Sequence, residues 1–499
     1  SQFVRFVKTL PNADDDDFKN PDEFQMDFEI ELAQDLLVAA KDTWKRQDML
    51  KAIQSELKDV EQEEDKKIKE GLNKLKVDWT EGPSPKTPGL DISFKTDTKD
   101  SDTIKAGDTV KLTATLKNTG TEPVYQVKAL TQSDHNIFDD REFIFGLIKP
   151  GEERSWTVDV KVPKDTSSRE DFIRFELSDA KTIFTKEPEK MPGLAVKIAE
   201  QDRPHFAFSY ELLDSSGDGL LSQGEDVKIK LHIHNTGKVD SAETLVYLKN
   251  YSREGLFLEK GRTKIEKVEA GKSAPTEFSF TVKQAPKDGM YELEADVYDL
   301  TFREFTQKKF KIPYAAKGVE TEKASGTATI KAADSKAYVG ADTTSQLAAT
   351  LAKNASYPVL AKTDKFFKIS LGEQDAWIPQ DKVSFKTTAT KNSDPVKNLL
   401  RFASPTVSLS AAETLTDKAS VKLTGKFEDN GTVKDYYVFV YNRQDNDFNT
   451  RKVVYREVGK PSTDMTLDVP LFPGMNRVAV YVRDDDGMTT AESAYIFRK

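Results

Sequence analysis

Residues 214–225 read Asp-Ser-Ser-Gly-Asp-Gly-Leu-Leu-Ser-Gln-Gly-Glu. Asp214, Ser216, Asp218, Gly219 and Glu225 fall where a twelve-residue calcium loop has its first acid, an oxygen donor, its second acid, the turn glycine and the closing acid. The carbonyl of Leu220 would supply the backbone ligand. Calcium takes about six to eight hard oxygens, and this spacing could fold them around one ion. The flanks are strand-like rather than helical, so the competing reading is an Asp/Gly-rich hairpin loop.

Other chemistry-bearing residues are sparse. Of the four histidines, His232 and His234 share one face of a strand. That spacing permits a metal pair, but no third ligand is in view, and a solvent-facing pair is the expected arrangement. The acidic turns Asp139-Asp140 and Asp484–Asp486 read as solvated turns that could hold cations weakly. Trp377 is either a groove aromatic or a core residue closing a small barrel. No Gly-x-Ser-x-Gly elbow, His-Glu-x-x-His pair, phosphate loop or dinucleotide loop occurs. No catalytic residue is therefore assigned, and the chain is expected not to be an enzyme.

The elements around these residues are mostly strands. Residues 106–120 and 223–237 are near-copies, with Gly107, Asn118 and Gly120 matched by Gly224, Asn235 and Gly237. The offset, about 117 residues, is one domain long. Alternating runs between turn signals place Ig-like β-sandwiches over 90–200 and 201–315. Residues 323–390 hold short, closely spaced strands ending in Ala376-Trp-Ile-Pro379, the order of a small SH3-like barrel. Residues 400–499 give a third, divergent Ig-like sandwich. Before residue 80, a short apolar run at 3–8 precedes two helical stripes, 22–41 and 43–76. These predict a helical hairpin that could oligomerise. The fold class is thus mainly β, with an N-terminal helical hairpin, tandem sandwiches, a barrel and a C-terminal sandwich.

Composition narrows the function. A chain of 499 residues with 37% apolar content and a net charge of −10 suits several small domains. An acidic balance without a basic run argues against nucleic acid. No run of about 18 apolar residues exists, so no membrane span is expected. There are no cysteines, which excludes disulfides and thiolate chemistry. The chain opens Ser-Gln-Phe-Val, with neither Met nor a signal-peptide pattern. The expectation is a processed precursor or part of a longer protein.

Asp27-Phe-Glu-Ile-Glu-Leu-Ala-Gln-Asp-Leu-Leu37, Arg203–Tyr210, the stretch ending at Glu225, and Asn235-Thr-Gly237 carry a family resemblance. The chain resembles the non-catalytic C-terminal region of large bacterial carboxyl-terminal processing (tail-specific) serine proteases. Their Ser–Lys dyad has no counterpart here. The resemblance implies an extracytoplasmic bacterial location, in the periplasm or at the cell surface. It also implies a scaffold that positions a protease or recruits a substrate or partner protein, including its own protease domain. The alternative is an independent surface adhesin or carbohydrate-binding protein of tandem sandwiches. Calcium at Asp214–Glu225 is the one cofactor expected.

Overall fold

The computed structural model describes residues 47–499, apart from 86–87, 99–102, 186, 188–190, 391 and 445–446. The predicted strand at 3–8 and helix at 22–41 lie outside these residues, and so does the hairpin they would complete. The second helix is present as Gln47–Lys74, about 42 Å long. After it the chain docks on the first sandwich. Leu72 and Val77 are buried, and the Leu147 N–H donates to the Asp78 carbonyl at 2.7 Å.

Two-residue alternation builds the rest. Val110, Leu112, Ala114 and Leu116 point inward from Thr109–Asn118, and Val227, Ile229, Leu231 and Ile233 from Asp226–Asn235. In the first sandwich, Leu90–Thr96, Thr109–Asn118 and Glu153–Lys161 form a three-stranded sheet. It faces a five-stranded sheet that includes Val124–Gln132, Arg169–Ser178 and Gly193–Ala199. Phe138, Phe143, Phe145 and Phe175 fill the space between.

The second sandwich repeats this plan. Phe206–Leu213, Asp226–Asn235 and Ser273–Val282 face a sheet of Arg262–Ile265, Thr244–Asn250, Met290–Asp299 and Glu304–Pro313.

The duplicated residues do the same physical work in both copies. Asn118 is fully buried. Its amide donates to the carbonyls of Glu122 and Ile148, and its Oδ1 accepts from the Gly120 N–H. Asn235 donates to Val239 and Val268 and accepts from Gly237. Gly107 and Gly224 sit at φ of 95° and 88°, a left-handed backbone that favours glycine. Their N–H groups close the same turn, onto the carbonyls of Val162 and Val282. The repeat is therefore a turn-locking device written twice.

Between Glu322 and Leu399, where a small barrel is expected, the chain forms an eight-stranded antiparallel sheet whose end strands, Val383–Lys386 and Asn398–Leu399, do not pair with each other. Trp377 is only 1% exposed and packs with Phe366 and Ala341, so it is core and not a groove aromatic. The chain then returns to the second sandwich, where Phe402–Ala403 adds a strand beside Phe206–Leu213. The C-terminal unit is built on a long hairpin of Ser420–Gln444 and Asp447–Pro470, continued by Gly474–Asp484 and Thr489–Arg498.

Candidate functional site at the junction of the second sandwich and the barrel

The Asp214–Glu225 loop leaves the strand Phe206–Leu213 and enters Asp226–Asn235. Gly217 and Gly219 take φ of 76° and 73°, which lets the loop fold back on itself. The Asp214 carboxylate accepts from the backbone N–H of Gly219 at 2.9 Å and of Asp218 at 3.2 Å, and the Ser216 hydroxyl donates to it. Asp218 is fully buried. Its Oδ1 accepts from the Leu220 N–H at 2.8 Å and its Oδ2 from the Val319 N–H at 2.5 Å. Asp214, Ser216 and Asp218 are thus brought together, with Leu220 buried beneath them.

Glu225 is used elsewhere. It accepts from the Ser222 N–H at 2.9 Å and from the Ser215 hydroxyl at 3.2 Å, bracing the turn into the next strand. The carboxylate oxygens that a cation would need are therefore directed at N–H and O–H donors within the protein. Among the described residues no group of three or more His, Cys, Asp and Glu side chains is arranged to hold a metal ion.

The loop reaches a second module instead. Val319 lies on the connection to the barrel, as does Thr321, whose hydroxyl donates to the Ser216 carbonyl at 2.6 Å. The Asp218 carbonyl accepts from the N–H of Ala341, inside the barrel, at 2.8 Å. Gly219 and Gly340 lie back to back. A Cβ on Gly340 would stand 2.4 Å from the Gly219 carbonyl oxygen. On the other side of the loop, the Ala315 N–H donates to the Leu221 carbonyl at 2.9 Å. The aspartate loop is thus a clamp between the second sandwich and the barrel. Its glycines and acids are visible in the sequence. Its partners, some 100 residues later, carry no motif that sequence reasoning could find.

Burial is the main electrostatic force here. It pushes the Asp218 carboxyl up to about 6, and the nearby Asp214 carboxylate adds to this against the backbone N–H bonds. Asp484, 2% exposed, is likewise pushed up to about 7 by burial, with Asp429 and Asp486 close by. It is not the solvated turn residue expected. The histidine pair is also corrected. His232 is buried, with Nε2 at 2.5 Å from Glu211, while His234 Nδ1 meets the Ser273 hydroxyl at 2.9 Å. The strand face they share looks toward the barrel, where Ser209 donates to Gln374 at 2.5 Å. A cavity of about 150 Å³ lies at this junction, lined by Ser209, Tyr210, Gln374, Arg401, Phe402 and Asp486.

No family model matches the chain, and no curated protein matches it. It is similar to several solved structures. One is Escherichia coli alpha-2-macroglobulin activated by porcine elastase, at TM-score 0.16 and 10% identity, covering 82% of this chain and 44% of that one. Another is native E. coli alpha-2-macroglobulin, at TM-score 0.21 and 10% identity, covering 84% and 34%. A third is red sea bream transglutaminase, at TM-score 0.18 and 11% identity, covering 46% and 32%. The chain spans less than half the length of each. The expected resemblance to carboxyl-terminal processing proteases is corrected: no family model matches the chain, and the similar solved structures are alpha-2-macroglobulins and a transglutaminase. The motifs behind that resemblance also have local explanations. Asp214–Glu225 is an intermodule clamp, Asn235-Thr-Gly237 is a turn lock, and Asp27–Leu37 lies outside the described residues.

Proposed function

We propose that this chain is a non-catalytic scaffold whose modules are held in fixed relation to present protein-binding surfaces, working outside the cytoplasm. The observation that carries this reading is the clamp. A buried aspartate, the Thr321 hydroxyl and two facing glycines join the second sandwich to the barrel, where a flexible linker would serve modules that act independently. One continuous set of buried side chains runs from Phe208 through Phe402 to Tyr357 and Ile369, supporting the same reading. Neither the clamp nor the buried His232–Glu211 pair offers an exposed nucleophile and base within reach of each other.

Hydrogen exchange on the full chain tests the fixed relation. The Ala315 and Val319 amides are expected to exchange as slowly as those of the strands they join. Free exchange there, with the barrel tumbling independently, would refute the scaffold. Turnover of unfolded protein or of C-terminal peptides by the purified chain would refute its non-catalytic part. In this reading the loop holds modules and not a cation, since calcium would have to draw Glu225 off the Ser222 N–H. Calorimetric titration of calcium is expected to give no saturable heat. Saturable binding that vanishes in Asp218→Ala would restore the cation reading.

A further inference from the structure

The strand Asp447–Pro470 is a sheet edge of unusual length. It pairs with Ser420–Gln444 along its course, and among the described residues no strand pairs with its other side. The other described strands that end a sheet run to 10 residues at most. It also lies on the side of the C-terminal sheet away from the remaining modules. The contacts to those modules run through Asp486, Glu492 and Tyr495, on or between the strands Gly474–Asp484 and Thr489–Arg498.

Unpaired N–H and C=O groups along an edge are a template for another extended chain. Proteins blunt such edges with proline, bulges and charge. Here the prolines, Pro461 and Pro470, and the left-handed Gly459 lie in the second half of the strand. Asn449–Val458 contains neither residue type, and its ladder is irregular at two places, opposite Val438 and Phe439 and at its end beyond Glu457. Ten residues give about 33 Å of edge.

The side chains along this stretch are strongly one-signed. Arg451, Lys452, Arg456 and, just beyond, Lys460 are exposed, against the single acid Glu457. Among the described residues no carboxylate lies within ion-pair distance of the four cations. Rings steady two of them, with Arg451 lying 4.6 Å over Phe472 and Lys452 5.5 Å over Tyr455. In a chain of net charge −10 this is a local reversal of sign. It repels the same stretch of a second copy and attracts an acidic strand.

We propose that Asn449–Val458 is an acceptor edge for an extended acidic polypeptide segment. The segment adds as a strand beside Asp447–Pro470 and places its carboxylates on Arg451 and Arg456, which share one face opposite Val440 and Tyr436. This holds whether or not the modules act as one scaffold, because the edge belongs to the C-terminal unit alone.

Fluorescence anisotropy on the full chain tests it with a labelled peptide of alternating Glu and Val. Two controls accompany it, one N-methylated on alternate amides in either phase and one with Lys in place of Glu. The unmodified acidic peptide and the N-methylated phase whose methyls face away from the edge are expected to bind, and the opposite phase and the Lys peptide are not. The Arg451→Glu/Arg456→Glu variant, with its circular dichroism and thermal midpoint unchanged, is expected to bind roughly tenfold more weakly or worse. Failure of the acidic peptide to bind overturns the proposal. Equal binding of both N-methylated peptides also overturns it, because charge alone would then suffice. A third overturning result is concentration-dependent dimerisation in sedimentation that the same double variant abolishes, since the occupant would then be a second copy.

Discussion

Asp218 is the acceptor for two backbone N–H groups, that of the buried Leu220 and that of the half-buried Val319. An orphaned buried donor costs about 1–3 kcal/mol, so Asp218→Ala is expected to destabilise the chain by roughly 2–4 kcal/mol in chemical denaturation. Its pH dependence has a definite sign. Burial raises the folded-state value to about 6, above the ordinary 3.8. Between those values the folded chain binds a proton that the unfolded chain does not, so this group's contribution falls as pH rises and is level above the upper value. The native advantage over Asp218→Ala is therefore expected to be largest near about pH 4 and smallest above about pH 7. Comparison with the variant removes the parallel titration of Asp484. An advantage that grew with pH would mean that the two N–H bonds outweigh burial and hold Asp218 as a carboxylate.

At the scale of elements, the junction rests on a close approach that only glycine allows. Gly340 does not sit at a positive φ, so its role is steric and not conformational. Its absent Cβ makes room for the Gly219 carbonyl and the Leu220 side chain. Gly340→Ala is expected to part the loop from the barrel and speed proteolytic cleavage in 315–321, with little change in 90–200. Limited proteolysis followed by mass spectrometry reads this directly.

The same junction shows what the sequence could and could not disclose. Strand alternation in 109–118 and 226–235, and the paired Asn118 and Asn235 turns, are local patterns, so the β-sandwich character was legible. The Asp214–Glu225 spacing was legible too, but its chemistry was not. An acid followed by glycines at this spacing serves equally to bind a cation or to accept N–H groups. What joins the loop to the barrel is its contacts with Val319 and Ala341, and their distance along the chain hides them. His232 misled for a similar reason. Its alternation placed it correctly on a face, but Glu211 and the neighbouring barrel made that face interior.

Over the whole molecule, the modules divide by core. The first sandwich has its own core and the C-terminal unit largely its own, whereas the second sandwich and the barrel share one. Phe402 is where that shared core is joined. It arrives after the barrel, pairs with Phe208, and sets its ring 5.3 Å from Phe208 and 6.0 Å from Phe310. Lys308, which contacts Asp486 of the C-terminal unit, lies over the same ring at 5.4 Å. Truncating a buried phenylalanine costs about 3–5 kcal/mol. If sandwich and barrel are one cooperative unit, Phe402→Ala must lower the stability of both by that amount together. Hydrogen exchange is expected to lose protection equally in Asp226–Asn235 and in Ser356–Lys362, while Thr109–Asn118 keeps its protection. Loss confined to the sandwich strands would mean that the barrel folds alone and that the continuous core is contact without cooperativity.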